Sequence, residues 1–309
     1  MRQLVYKILA IAVGIFALGS SVAFSQSLRD VEKDNLPVFT GISLGGEFTL
    51  EIRYGANYSA KLTTEDMLAD FVLFGVSNGK LSVTLDERKV PAEVKRLFRG
   101  KNTPTYRLIV TMPEGLRSIT LEDKSVLLSA DDRVFSPDGF DLSMKESTRV
   151  SQLTFTSDLV TVKMERKAEA TLDVTCDSLA VDMSGSSNLT LAQHAGKVGY
   201  ALAFNANLVV NGEAEALSIS SKGTSKAILN GTAPVAAFTV TNASNVNAVN
   251  LEVEEARVVM SGLCTLTQAA TRDLFINIGS GSNLVFKNEP AIHILNVKSA
   301  SITPYDKKK

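Results

Sequence analysis

From Phe140 to Ile302 the chain alternates apolar and polar residues with a period of two, and this alternation restarts about every 19 residues. A period of two is typical of β-strands with one buried face. The strings "MSGSSNLTL" (183–191) and "IGSGSNLVF" (278–286) mark two of the repeats. Residues four before, two before and six after each repeat anchor are apolar throughout. The anchors are Met144, Met164, Met183, Leu202, Ser221, Val240, Met260, Ile278 and Asn296.

Repeats of this length are too thin to bury their own apolar row, so they must stack on one another. Leucine-rich repeats have a similar period, but their L-x-x-L-x-L frame is missing here. The pattern therefore predicts an all-β fold, a parallel β-helix solenoid of about 19-residue coils over residues 116–303. The general preference for right-handed parallel crossovers predicts a right-handed solenoid.

The repeated string is expected to form the turn between the two strands of a coil. Four residues after each anchor the side chain is small, as stacked turns require. Asparagines five residues after four of the anchors predict a partial asparagine ladder, and the left-handed backbone that tight turns need suits asparagine and glycine. A phosphate-binding loop is the functional alternative, but the G-x-x-x-x-G-K-[ST] motif is absent. The small residues are Thr148, Ala168, Ser187, Ala206, Ser225, Ser244, Cys264, Ser282 and Ala300, and the asparagines are Asn188, Asn207, Asn245 and Asn283.

Residues 36–113 have a different pattern, with strand-like runs separated by Asn-Gly and Gly-Gly turns. The segment "SNGK" (77–80) predicts a hairpin. An open solenoid end exposes unpaired strand edges, so we expect 36–113 to be a strand-rich N-terminal cap. The charged tail 304–309 is expected to protect the other end. Residues 26–309 are thus predicted to be one elongated domain.

Several segments resemble the autotransporter-adhesin head family, also called the GIN-domain family, which is common in Bacteroidota. They are "FTGISLGGEFTLEI" (39–52), "VSNGKLSV" (76–83), "IVTMPEGLRSI" (109–119) and the turns "SGSS" and "GSGS". The resemblance covers roughly residues 36–303. It implies a secreted, β-helical protein with a role in adhesion, and it provides no catalytic residues to transfer.

The first 25 residues have the composition of a signal peptide. Arg2 and Lys7 precede an apolar run from Ile8 to Leu18, and Ala23 and Ser25 fit a signal-peptidase site. The apolar run is too short for a spanning helix, which needs about 20 residues. We therefore expect an exported protein, located in the periplasm, at the outer-membrane surface or outside the cell, without a transmembrane segment in its mature form.

Charge excludes one class of partner. Without Arg2 and Lys7, 30 of the 32 basic residues remain against 33 acidic ones. This balance gives no electrostatic footprint for nucleic acid.

Few residues are candidates for chemistry. Cys176 and Cys264 lie about five coils apart, too far for a disulfide, and we interpret them as buried thiols. His194 and His293 are also too distant to share a metal site or a triad. Asp131, Asp132 and Asp138 form either a calcium loop or an ordinary one. We expect no cofactor and no metal.

Carboxylates are the sharper question, because parallel β-helices include polysaccharide lyases and hydrolases, which bring carboxylates and basic residues together on adjacent coils. Asp158, Asp173, Asp177 and Asp182 lie in neighbouring coils, but counting from the anchors gives them different offsets. We therefore do not expect them to converge. Three or more charged residues converging in a groove would favour an enzyme.

The segment "RKVPAEVKRLFRGK" (88–101) concentrates six basic residues. It predicts a short helix from Pro91, with Val94, Leu97 and Phe98 on one face. Either the helix only covers the end of the solenoid, or Lys95, Arg96, Arg99 and Lys101 bind an anionic glycan or lipopolysaccharide phosphate.

Two functions remain open at this stage. The first is an exported, non-catalytic, adhesin-like protein that binds a glycan or a protein through the faces of the rod. The alternative is a carbohydrate-active β-helix enzyme, a polysaccharide lyase or glycoside hydrolase.

Overall fold

The computed structural model describes residues 27–99, 102–113, 115–130 and 138–305; the predicted signal peptide lies outside them. Strands make up 68% of the chain and helices 4%, which confirms the all-β class. The N-terminal elements are β1 (Leu28–Lys33), β2 (Gly41–Gly46), β3 (Thr49–Tyr54), β4 (Ser59–Glu65), α1 (Asp66–Ala69), β5 (Val72–Ser77), β6 (Lys80–Leu85), α2 (Ala92–Leu97), β7 (Tyr106–Met112), β8 (Ser118–Asp123) and β9 (Val126–Ala130). The later strands are β10 (Gly139–Met144), β11 (Arg149–Met164), β12 (Glu169–Met183), β13 (Asn188–Leu202), β14 (Asn207–Ser221), β15 (Lys226–Thr232), β16 (Val235–Thr241), β17 (Asn245–Ser261), β18 (Thr265–Gly279), β19 (Asn283–Phe286), β20 (Ala291–Lys298) and β21 (Ser301–Pro304).

The later strands stack as a parallel solenoid of about nine turns with coils of about 19 residues, as the periodicity predicts. Met164 pairs with Met183, and Met183 pairs with Leu202, one coil further on. Every predicted anchor from Met144 to Ile278 follows this register. The last anchor is wrong by one residue: Ile278 pairs with Val297. Leu295 is inserted between the partners of Ile276 and Asn277, and such a one-residue bulge shifts everything after it.

A left-handed residue lies two positions after the anchor in each of these coils. It turns the chain sharply between the two strands, and glycine fills it at Gly185, Gly223 and Gly262. The ladder asparagines were expected to have this conformation, but Asn188 and Asn207 begin extended strands instead. The other left-handed residues at this position are Glu146, Arg166, Phe204, Asn242, Ser280 and Ser299.

The small side chains form the predicted row inside this turn. Ser187, Ser225 and Ser244 are at most 1% exposed. Two of them also bond the turn: the Ser244 hydroxyl donates to Thr241 O (2.7 Å) and that of Ser225 to Lys222 O (2.9 Å). The row becomes aromatic toward the N-terminus, where Phe48 and Tyr106 pack with ring centroids 5.1 Å apart.

Only part of the predicted cap is antiparallel. β2 and β3 pair in parallel with β8 and β9 on one side and with β6 and β7 on the other, so they form a coil between two coils. Their alternating pattern is the same as that of the later repeats, which explains why they join the stack. β1, β4 and β5 provide the antiparallel cover, since β4 pairs with β7, β1 with β4, and β5 with β6. The β5–β6 hairpin turns at Asn78 and Gly79, both left-handed, as "SNGK" predicts.

Ser244→Leu should strongly destabilise the protein. The larger side chain has no room between the neighbouring turns, and overpacking costs about 1–3 kcal/mol, to which the lost hydroxyl bonds add. Ser301→Leu is the matched control, because Ser301 is exposed on the last coil. Thermal melts of both purified variants compare them, and equal small shifts would contradict the packing of this row.

Phe204→Gly should unfold at a higher temperature than Phe204→Ala. Phe204 is 67% exposed, so both variants lose the same small ring contact, while its φ of 61° disfavours any side chain. Relief of left-handed strain favours glycine by about 1 kcal/mol, reduced in part by its greater entropy in the unfolded chain. Chemical denaturation of both variants measures the difference, and an alanine variant at least as stable would show that the turn is not strained.

Candidate functional site

In each coil, the strand segment that precedes the left-handed turn residue has one face exposed to solvent. These faces together form a shallow depression, which we call the trough. It has a volume of about 390 Å³ and is lined by small residues of five consecutive coils. The register places one outward side chain per coil in a row. Because each side chain in this row is small, a ligand could approach the strands closely. The row is Thr161, Ala180, Gly199, Ser218 and Ala237, and a second row contains Asp182, Ala201, Ser220 and Thr239.

A stack of larger side chains closes one end of the trough. Arg257, Phe275 and His293 continue the row beyond Ala237. The Arg257 guanidinium lies 5.0 Å from the Phe275 ring centroid, and the His293 ring stacks on Phe275 at 4.5 Å. His293 Nε2 lies 2.9 Å from Asp273 Oδ1, and His293 and then Arg272 lower the pKa of Asp273.

Outward-facing amides are bonded from coil to coil. Asn207 Nδ2 donates to Asn188 Oδ1 (3.1 Å), so two members of the predicted ladder are joined; Lys226 occupies the next position. A second ladder joins Asn211, Asn230 and Asn250 at 3.0 and 3.3 Å. The sequence analysis missed this ladder, although the spacings of 19 and 20 residues indicate it.

Carboxylates line a separate groove at the corner where the second strand segment of one coil meets the first strand segment of the next. We call it the acidic groove. Its volume is about 480 Å³, and Asp158, Asp177, Glu213 and Glu215 line it together with His194. Our expectation that Asp158 and Asp177 have different offsets was wrong. The register shifts between Val150 and Leu153, which adds one residue to the count before Asp158 and places it beside Asp177 on the next coil.

The other two predicted carboxylates do not join this groove. Asp173 pairs with Ala192, and Asp182 pairs with Ala201 in the trough. A second cavity of about 600 Å³ shares Thr232 and Pro234 with the acidic groove and is lined by further acidic residues, Glu252 and Glu254.

Four carboxylates converge in the acidic groove, which meets the criterion that favours an enzyme, but the set of catalytic groups is incomplete. His194 Nδ1 and Glu213 Oε2 lie 3.4 Å apart, and both side chains are largely exposed. No lysine or arginine is among the described residues that line this cavity of about 480 Å³. Among the residues that the structure describes, no three His, Cys, Asp or Glu side chains are placed to hold a metal ion.

The basic segment forms a patch on the N-terminal region, as its sequence indicates. Helix α2 follows Pro91, and Val94 and Phe98 pack against the core. Lys95, Arg96 and Arg99 are exposed, whereas Lys101 lies outside the described residues. We call Lys95, Arg96 and Arg99 the cationic patch.

The remaining candidates are three aspartates and two cysteines. Asp131 and Asp132 lie outside the described residues, and Asp138 pairs with Arg117 at 2.6 Å. Cys176 and Cys264 are both free and buried. In the described ranges, no helix has the length and apolar character to cross a bilayer.

Comparison with known proteins identifies related sequences and folds. A family described as "Putative auto-transporter adhesin, head GIN domain" matches residues 38–206 and 194–290. A "putative lipid binding protein" from Parabacteroides distasonis has 15% sequence identity and a TM-score of 0.50, over 91% of this chain and 98% of that chain. A "putative adhesin" from Parabacteroides merdae has 14% identity and a TM-score of 0.48, over 91% and 98%. No curated protein matches the chain.

Neither cysteine should react with a thiol reagent at pH 7.5 in the native protein. Burial, with a smaller contribution from Asp177, raises the pKa of Cys176 to about 11, and burial raises that of Cys264. Both thiols are therefore protonated and shielded, and the thiolate is the reactive form. Titration with Ellman's reagent should give no reaction in buffer and two thiols per chain in guanidinium. Fewer than two thiols after unfolding would reveal a disulfide.

Proposed function

Because the chain belongs to the auto-transporter adhesin head GIN-domain family, we propose that it is an exported, non-catalytic, adhesin-like protein. It binds a surface ligand, a glycan or a protein, through the outer faces of the solenoid. The proposed location is the periplasm, the outer-membrane surface or the extracellular space, and the segment 1–25 is the proposed export signal.

The trough is the observation that carries this proposal. It lies on β-strands whose spacing is fixed by hydrogen bonds to both neighbouring coils. The binding surface is therefore preformed, and little conformational entropy is lost on binding. Its small side chains leave the outward face of the strands and hydroxyls such as those of Ser218 and Ser220 within reach of a flat ligand. The Arg257–Phe275–His293 stack provides a cation and aromatic surface at one end.

The cationic patch is a second proposed contact. Lys95, Arg96 and Arg99 have no ion-pair partner among the described residues, and unpaired cations favour an anionic ligand such as a sulfated glycan or a phosphate group. Charge reversal at all three positions should weaken binding of anionic ligands and remove its salt dependence. Neutral ligands provide the control, since their binding should not change.

The acidic groove supports one alternative function, a carbohydrate-active enzyme. Asp158 and Asp177 occupy one position on adjacent coils, about 4.8 Å apart along the stack, close to the roughly 5 Å between the carboxyls of retaining glycosidases. Such a pair also needs one carboxyl that is protonated, and both side chains here are exposed to solvent. No lysine or arginine is among the described residues that line the groove, and this fits binding better than cleavage.

A glycan array, a panel of immobilised surface proteins and a reducing-sugar release assay together test these alternatives. Vesicles of phosphatidylethanolamine and phosphatidylglycerol form a further arm, because one neighbour is named as lipid binding. Retention of a glycan or protein without sugar release supports the proposed function. Sugar release that is lost in Asp177→Asn would overturn it in favour of the enzyme.

Ser220→Arg should reduce binding of the retained glycan or protein at least tenfold. The long side chain fills the middle of the trough, where Ala201 and Thr239 are its neighbours. Thr190→Arg is the matched control, because Thr190 is an exposed residue on the second strand of its coil and adds the same charge on another face. Biolayer interferometry compares the dissociation constants. A similar loss in both variants would mean that the trough is not the binding surface.

A further inference from the structure

Strand β20 is the last strand on the face of the solenoid that carries the trough. It is rich in apolar residues and is exposed to solvent. All eight of its residues are exposed. Four of them are large aliphatic residues, with Ile292 at 44%, Ile294 at 62%, Leu295 at 69% and Val297 at 40% of full exposure. Their partners one coil earlier, Leu274, Ile276 and Ile278, are at most 1% exposed. Among the described residues, which do not include 306–309 of the charged tail, nothing covers the inner surface of the solenoid at this end.

The backbone of β20 is open as well. β20 pairs with β18 on one side, and no residue pairing is found for its other edge among the described residues. The same holds for β21, which pairs with β19 alone. An edge of this length with an apolar row is a strong template for another strand.

The sequence of β20 is suited to pairing with itself. From Ile292 to Val297 it is apolar, polar, apolar, apolar, polar, apolar. This pattern is the same in both directions, so an antiparallel copy centred between Ile294 and Leu295 matches apolar with apolar and polar with polar. Ile292 then faces Val297 of the second copy, and His293 faces Asn296. The inserted Leu295, which breaks the 19-residue register, is what makes the pattern symmetric.

The charges at the two ends of the strand are complementary in this arrangement. Glu289 precedes β20 and Lys298 ends it. Antiparallel pairing brings the Lys298 end of one copy to the Glu289 end of the other, and the twofold axis repeats this contact. Opposite charges at both ends fix the direction of pairing.

We propose that two copies of this chain bind end to end through β20 and form a twofold symmetric dimer with a continuous solenoid core. Assembly stops at two copies, because β1, β4 and β5 cover the N-terminal coil with antiparallel strands. The dimer presents two troughs on one rod, which increases avidity for a surface that carries many ligands. The dimer does not depend on the proposed ligand-binding function, and its test needs no ligand.

Analytical ultracentrifugation of the full chain over a concentration series tests the dimer. We expect a monomer–dimer equilibrium without larger species. Leu295→Lys should raise the dissociation constant at least tenfold, because it places two like charges near the twofold axis. Leu263→Lys is the matched control: Leu263 is 79% exposed, on a turn of the solenoid corner, and its change should leave the equilibrium as it is. A monomer at all concentrations, or equal effects of both variants, would overturn the proposal.

Disulfide trapping tests the register. Ile292→Cys with Val297→Cys places the two cysteines opposite each other between copies, while within one strand they lie about 16 Å apart, beyond the reach of a disulfide. Mild oxidation should give a covalent dimer. Ile292→Cys alone is the control, since its cysteines in the two copies lie five residues apart along the paired strands, about 16 Å. Equal cross-linking of the double and the single variant would contradict the antiparallel register.

Discussion

The stacking of parallel backbone turns at about 4.8 Å is the constraint on which the rest of this structure depends. Each coil is bonded to the coil before and after it, so a side chain meets mainly the side chains at the same position of its neighbours. At the inner corner of the later coils this leaves room only for residues the size of Ser187, Ser225 and Ser244. Two positions after each anchor it demands a left-handed residue, even where that residue is Phe204. An extra residue has no partner at the same position of the neighbouring coil, so it forms a bulge, as Leu295 does.

The same constraint organises the surface. Outward side chains form rows along the stack. Asparagine repeated at one position therefore forms a hydrogen-bonded ladder, and small residues repeated at another position form the trough. Acidic residues repeated at a corner become the acidic groove. Rows of this kind suit a repeating or extended ligand better than a small substrate, because equivalent groups recur at a fixed interval and do not converge on one point. This is the physical link between the solenoid and the proposed role of binding a surface.

A stack of coils has no intrinsic end, and the two ends of this chain are treated differently. Antiparallel strands cover the outermost N-terminal coil, and their reversed direction stops further parallel addition. At the other end the inner aliphatic row continues to β20 and is exposed there. Burying that row and pairing its backbone would stabilise a complex with a partner whose strand has a matching apolar pattern. The palindromic pattern of β20 makes a second copy such a partner.

The sequence by itself determined the fold class, the coil length, the inner rows and the hairpin at 77–80, because each of these follows from alternation and from local turn chemistry. It also located Lys95 and Arg96 on a short helix, with Arg99 just after it. It did not determine which outward residues meet. One extra residue before Asp158 hid its alignment with Asp177, and one extra residue at Leu295 moved the last anchor. Only the tertiary structure decided that β2 and β3 lie between two coils formed later in the chain. A period in sequence specifies what stacks, but the order of stacking depends on contacts between segments far apart along the chain.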